Sequence, residues 1–118
     1  MRPMPPRDLH YLYDMLVSAK IAESYLSQHS WSHFLEDIQL QDAAIRRLEI
    51  IGEAERRLSE GTRISLSKIP LILMRNQIVK EYDKIDLEVV WNTVQNDLPK
   101  LIAEIEKVMP EEKLQEAF

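Results

Sequence analysis

The chain has 118 residues, with 20 acidic and 15 basic side chains that give a formal net charge of -5 at pH 7. This charge disfavours a protein that coats nucleic acid through a broad basic surface, although a local basic cleft remains possible. The length suits one domain over residues 1–118 that buries a core without a metal or disulfide. The absence of cysteine excludes disulfides, thiolate metal sites and cysteine nucleophiles.

The chain contains only two glycines and few segments with the alternation of a strand, and these features predict an all-α fold. The N-terminal residues lack the apolar run of a secretory signal. No stretch reaches the roughly 20 apolar residues that span a bilayer. We therefore expect a soluble cytoplasmic protein without membrane contact, and flexible tails at residues 1–7 and 111–118.

Two helices are predicted in the first half of the chain. Apolar residues recur at helical spacing from about Asp8 to Gln28, which predicts the first. The second should begin after the capping hydroxyls of residues 29–32 and continue to about Glu60, with Gly61 as its stop. Its expected core stripe comprises Phe34, Ile38, Gln41, Ile45, Leu48 and Gly52.

The opposite side of this second helix carries Ala43, Ile50 and Ala54 around Arg47. Small and apolar residues on a surface face are typical of a self-association interface. Scattered surface alanines with one exposed isoleucine explain the same pattern equally well. Periodicity alone therefore leaves both interpretations open.

A third helix is predicted to start at Pro70, which suits a first helical turn, and to end near Tyr82. Asp86 is the expected cap of a fourth helix, whose apolar register continues through Pro99 and which ends at Pro110. Pro99 should therefore kink this helix without terminating it. Four helices with short connections predict an up-and-down four-helix bundle.

The third predicted helix concentrates polar residues that packing alone rarely requires. At about 100° per residue, Arg75 and Tyr82 would share one side, and Asn76 and Lys80 would lie together on another. The helix would then present all four groups to a cleft. Considered without any relative, Arg75 is better explained by an ion pair with Glu53 or another carboxylate, and Tyr82 by a half-buried ring.

The remaining candidate ligands and aromatic residues favour no further site. The three histidines lack a common helical face with acidic partners, so we predict no metal site. No glycine-rich phosphate loop is present, which disfavours a nucleotide-binding scaffold. The aromatic residues interpreted as packing or interface groups, and not as base-stacking platforms, are Tyr11, Tyr13, Tyr25, Trp31 and Trp91.

Several short segments together resemble the HepT-like branch of the HEPN superfamily. They are IIGEA at 50–54, IP at 69–70, MRN at 74–76 with Tyr82 downstream, LEVVW at 87–91 and DLP at 97–99. Each is weak alone, but in this order they cover nearly the whole chain. The resemblance implies a dimeric helical bundle that is the toxin of a toxin–antitoxin pair, with a minimal nucleotidyltransferase (MNT) as antitoxin.

The resemblance also implies metal-independent cleavage of RNA, either tRNA or mRNA, by an arginine and a histidine whose two copies meet at the dimer cleft. No cofactor is implied. Carried over by position, the arginine is Arg75 and the polar residue after it is Asn76. Tyr82 is the tyrosine that the antitoxin would adenylylate to silence the toxin, and Glu53 is the carboxylate expected to position Arg75.

The histidine of the motif does not carry over, because Lys80 occupies its position and no histidine follows Arg75. Histidine, with a pKa of about 6.5, exchanges protons at neutral pH, whereas lysine, at about 10.4, is almost wholly protonated. Lys80 can hold phosphate, and burial or neighbouring charge could lower its pKa enough to make it a base. Two hypotheses remain: a ribonuclease toxin with impaired or retuned cleavage, and a non-catalytic dimeric module that binds RNA or the antitoxin.

Overall fold

A computed structural model describes residues 4–66, 79–80 and 84–115, with the backbone alone at 79, 80 and 84. The helices in these ranges are α1 (Pro6–Leu26), α2 (Trp31–Glu36), α3 (Ile38–Arg56), α4 (Glu60–Ser65), α5 (Leu87–Asn92), α6 (Leu98–Val108) and α7 (Glu111–Leu114). A π-helical segment, Thr93–Asp97, joins α5 to α6, and the two-residue strands β1 (Val79–Lys80) and β2 (Lys84–Ile85) pair in antiparallel fashion. The all-α class is thus confirmed, with one short strand pair added to it.

Helix α1 is the centre of the packing, because it contacts α3, α6 and the π segment. Its buried apolar residues recur at helical spacing and form one stripe, as predicted. They are Leu12, Met15, Leu16, Ala19, Ala22 and Leu26. Each large aliphatic side chain buried in this way stabilises the fold by roughly 1.5–3 kcal/mol. None of the helices that the structure describes is both long and apolar enough to cross a membrane.

The single long helix predicted after residue 32 is wrong, because this part of the chain forms α2, α3 and α4. Asp37 separates the first two with an extended backbone, φ -110° and ψ 93°. Its carboxylate accepts a hydrogen bond from Leu40 N at 2.9 Å, so Asp37 caps a new helix. The break changes the helical register, and Ile38, which was predicted to face the core, is 70% exposed.

Two further predictions about this region are also wrong. Gly61 does not stop a helix, because it lies inside α4. Ala54, predicted to lie on the side opposite the core, is 6% exposed and belongs to the core cluster. Contacts of α3 with α1, α2 and α5 bury a wider face than the predicted stripe. Ile50 is half-buried and lies outside that cluster.

The C-terminal part follows the prediction more closely. Asp86 caps α5, since its carboxylate accepts hydrogen bonds from Glu88 N at 3.1 Å and Val89 N at 3.3 Å. A π segment precedes Pro99, which occupies the first turn of α6, where it needs no amide donor, and the kink expected at Pro99 stays a prediction. Beyond it, the predicted tail includes α7, and Leu114 packs against the core.

Candidate functional site

The residues predicted to form the site fall largely outside the described part of the chain. This is the case for Arg75, Asn76 and Tyr82, so their roles stay predictions. Lys80 is described by its backbone in β1, where it is the antiparallel partner of Lys84. The predicted continuation of the third helix through position 80 is wrong, because that position belongs to a strand.

The strand pair changes the geometry expected for the polar cluster. The predicted grouping of Asn76 with Lys80 assumed one continuous helix, and it loses that basis because Lys80 lies in a strand. Pairing with β2 instead sets two lysines, Lys80 and Lys84, at partnered positions.

Glu53, the carboxylate expected to position Arg75, lies on the exposed side of α3. Its Oε1 accepts a hydrogen bond from Arg56 Nη1 at 3.0 Å, and both side chains are about half exposed. An exposed ion pair of this kind contributes less than about 1 kcal/mol to stability. Any contact between Glu53 and Arg75 involves a residue outside the described ranges and stays a prediction.

Glu55, two residues further along α3, is a buried carboxyl group that the sequence analysis missed. It is 8% exposed, and its Oε2 has no hydrogen-bond partner among the described residues. Burial raises the pKa of Glu55 to about 7, although the charge of Arg63 acts in the opposite direction. A carboxyl group with this pKa exchanges protons at neutral pH. Helical spacing from the buried Leu48 and Ile51 could have placed it on the core stripe.

Asp8, also missed, is fully buried in the first turn of α1. Its carboxylate accepts hydrogen bonds from Ser59 N at 3.1 Å, Ser59 Oγ at 2.5 Å and Thr62 Oγ1 at 2.7 Å. Burial raises the pKa of Asp8, but these hydrogen bonds and the nearby Arg7 outweigh it and hold the pKa below its ordinary value. Asp8 therefore stays ionised at neutral pH and joins α1 to the start of α4.

An aromatic cluster lies where α2 meets α5. The ring centroids of Trp31 and Trp91 are 5.7 Å apart at an interplanar angle of 61°, and those of Phe34 and Trp91 are 5.4 Å apart. The packing interpretation is confirmed for Trp91, which packs against the core, whereas Trp31 is 36% exposed. A groove of about 350 Å³ lies beside the cluster and is lined by Trp31, Glu88, Trp91 and Asn92.

No group of three or more histidine, aspartate or glutamate side chains suited to a metal ion occurs within the ranges that the structure describes. The nearest arrangement is His33, whose Nε2 lies 3.3 Å from an Asp37 carboxylate oxygen and whose ring stacks on His29 at 4.5 Å. These side chains bridge α2 to its C-terminal cap. Their contacts are explained by the helix junction.

Comparisons with known sequences identify the family to which the chain is similar. A family model described as "Ribonuclease HepT-like" matches residues 15–108. The chain is 33% identical over 110 residues to a "Putative RNase" of Methanocaldococcus jannaschii, which covers 90% of this chain and 91% of that protein. It is also 33% identical over 101 residues to a "Probable ribonuclease HepT" of Thermococcus cleftensis, which covers 83% of this chain and 92% of that protein.

A longer relative from Methanocaldococcus jannaschii, named "Gamma-glutamylcyclotransferase and putative RNase", is 38% identical over 104 residues, or 86% of this chain. The match covers 47% of that protein, so this chain spans about half the length of that relative. No solved structure matches the chain significantly.

Proposed function

This chain belongs to the ribonuclease HepT-like family, and from that membership we propose that it is the RNA-directed toxin of a toxin–antitoxin pair. The family match over residues 15–108 carries the proposal. The activity proposed is metal-independent endonucleolytic cleavage of tRNA or mRNA in the cytoplasm. The active form would be a homodimer of four-helix bundles in which the two Arg75 side chains meet in one cleft.

Cleavage without a metal requires three things: removal of a proton from a ribose 2′-hydroxyl, protonation of the leaving oxygen, and positive charge near the phosphorane. We assign the charge to Arg75, because its planar guanidinium suits phosphate oxygens, and we assign Asn76 to orienting that group or the phosphate. Lys80, where the family motif has histidine, would bind phosphate better than it would remove a proton.

A non-catalytic dimeric module that binds RNA or the antitoxin is the second candidate. It is favoured by the absence of any histidine after Arg75, since His10, His29 and His33 all precede it. The two candidates share the fold and the RNA contact but differ in proton transfer. We place this chain between them, as an RNA-binding member of the family with impaired cleavage.

The experiment that tests this proposal incubates total tRNA in EDTA with the wild type, Lys80→His and Lys80→His/Arg75→Ala proteins, and resolves the products on a denaturing gel. Since a positioned histidine adds proton transfer, Lys80→His should cut at least about 100-fold faster than the wild type. The double variant should not cut. A Lys84→His variant is the matched control, because it places the same substitution at the partnered position and should leave the wild-type rate unchanged.

Each other outcome contradicts a specific part of the proposal. Equal cutting by the wild type and Lys80→His would show that Lys80 or another group already transfers protons, so cleavage would not be impaired. Silence from every variant, with RNA still bound, would exclude the ribonuclease and leave the binding module.

Regulation by the antitoxin is proposed to act through adenylylation of Tyr82. After incubation with a nucleotidyltransferase partner and ATP, the intact mass of the wild type should rise by whole adenylyl units. The mass of Tyr82→Phe should not change, and an equal gain in that variant would exclude Tyr82 as the target. Sedimentation of the unmodified protein tests the homodimer, which a monomer mass at assay concentration would contradict.

A further inference from the structure

The groove between α2 and α5 holds two polar side chains that have no role in the described fold. Glu88 and Asn92 lie four residues apart on α5 and therefore on one side of it, with Trp91 next to Asn92. Both are exposed, and neither side chain makes a hydrogen bond or ion pair with another described residue. Polar groups beside an aromatic wall are therefore available to a ligand.

The two indole rings that form the aromatic wall of the groove both pack against Phe34. Phe34 is fully buried and lies 6.0 Å from Trp31 and 5.4 Å from Trp91, measured between ring centroids. These contacts restrict the indole rings before any ligand arrives. Flat aromatic rings stack on such surfaces, and nucleobases bind aromatic side chains in this way. The groove thus has the shape and the surface that suit a nucleobase.

The polar side chains select among the four bases. The Glu88 carboxylate offers only acceptors, whereas the Asn92 amide can also donate. Guanine alone presents two adjacent donors, N1–H and N2–H, to a carboxylate and an acceptor, O6, to an amide N–H. Adenine and cytosine would turn a ring nitrogen lone pair towards the carboxylate, and uracil offers one donor between two carbonyl oxygens. The carboxylate also repels phosphate, so a base edge fits here better than the backbone.

We propose that this groove binds a guanine base of the RNA, stacked on one indole face of the Trp31–Trp91 pair with its base-pairing edge on Glu88 and Asn92. The proposal rests on the RNA substrate proposed above and adds a base preference to it. It assigns Glu88 as a specificity-determining residue. Single-stranded RNA exposes its bases for this kind of recognition.

The test uses the intrinsic fluorescence of the full chain, because its two tryptophans both line this groove. Guanosine monophosphate should quench this fluorescence and bind about fivefold more tightly than inosine monophosphate, which lacks the N2 amine. Adenosine monophosphate should bind no better than inosine monophosphate. In Glu88→Gln, affinity for guanosine monophosphate should fall about fivefold and the preference over inosine monophosphate should vanish, because the second anionic acceptor is lost. Glu111→Gln, which makes the same charge change at an exposed residue of α7, should behave as the wild type.

Equal affinity for the three nucleotides, absence of quenching, or an unchanged guanosine preference in Glu88→Gln would each overturn the guanine site. Gel shifts with RNAs that differ only in one guanosine-to-inosine replacement separate this failure from that of the proposed function. Binding of both RNAs with equal affinity overturns the groove assignment and leaves the RNA function standing. Quenching by guanosine monophosphate without any RNA binding supports the groove and contradicts the RNA function.

Discussion

Two buried carboxyl groups that interact with α4 have pKa values shifted in opposite directions. Asp8, in the first turn of α1, accepts three hydrogen bonds from Ser59 and Thr62, and its pKa lies below the ordinary value. Glu55, on α3, has an oxygen without a partner in the described ranges, and its pKa is raised to about 7. Burial by itself acts to raise the pKa of both groups, and only at Asp8 do hydrogen bonds outweigh it. The number of donors, and not burial, therefore decides which carboxylate stabilises the fold in its charged form.

The contacts of Arg63 explain why its charge lowers the pKa of Glu55 less than burial raises it. Arg63 Nη2 donates hydrogen bonds to the carbonyl oxygens of Arg56 at 2.8 Å and Leu58 at 3.2 Å. These bonds satisfy carbonyls at the C-terminal end of α3, where a cation is favourable. Arg63 Nε is buried without a hydrogen-bond partner among the described residues, as is Glu55 Oε2. The guanidinium is thus directed mainly at backbone oxygens.

The largest effect is expected at Asp8, the carboxylate of this comparison whose oxygens accept hydrogen bonds. Asp8→Ala should lower the free energy of unfolding by about 4 kcal/mol, because the donors of Ser59 and Thr62 lose their acceptor in a buried place. Urea denaturation measures this loss. Asp42→Ala, at an exposed aspartate of α3, is the control and should change stability by less than about 0.5 kcal/mol. Equal effects of the two variants would refute the assigned role of Asp8.

Acid titration tests in which direction the contribution of Asp8 to stability changes with pH. Folding favours the ionised form of Asp8, since its pKa lies below the ordinary value of 3.8. Its contribution to stability is complete above about pH 4 and is lost as the pH falls through the folded-state pKa. The difference in stability between the wild type and Asp8→Asn should therefore shrink on acidification below about pH 4.

The next effect concerns Glu55, where the pH dependence should run the other way. Folding favours the protonated form, because burial raises the pKa of Glu55 from 4.5 to about 7. Stability from this group is complete below about pH 4.5 and is lost as the pH rises through about 7. Glu55→Gln should therefore be more stable than the wild type by roughly 2 kcal/mol at about pH 8, and nearly equal to it at about pH 4.

The control for Glu55 is Glu49→Gln, at an exposed glutamate of the same helix. Stability curves measured by urea denaturation across the pH range should differ from the wild type only for Glu55→Gln. A Glu55→Gln curve parallel to that of the wild type at every pH would show that the pKa of Glu55 is the same in the folded and unfolded protein, and would refute the raised pKa.

The smallest effect is expected at Gly61 in α4, the helix that carries Thr62 and Arg63. A Cβ added at Gly61 would meet no atom within 4 Å. Gly61→Ala should therefore raise the free energy of unfolding by about 0.5 kcal/mol, because alanine restricts the unfolded chain and favours a helix. Thermal unfolding measures the gain. Destabilisation by this substitution would contradict the helical assignment of residue 61.

Local patterns were sufficient to predict helical class, the apolar stripe of α1 and the cap at Asp86, because each depends on residues within a few positions of one another. They were misleading at Asp37, where the spacing from Phe34 to Ile38 continues across a break that contains neither proline nor glycine. At Lys80 a helical pattern gave way to pairing with Lys84. Of the candidate site, the family motif could be read from the sequence, while Arg75, Asn76 and Tyr82 remain predictions.

The sequence by itself determined the family, the helical class and the apolar stripe of α1, while Asp8 and Glu55 were missed although helical spacing relates them to buried residues. Only the tertiary structure decided what those carboxyl groups do. The donors that satisfy Asp8 come from residues 51 and 54 positions further along the chain. No donor reaches Glu55 Oε2 in the described ranges. Helical periodicity places a side chain on a face, but the hydrogen bonds that set its charge depend on which distant segment packs there.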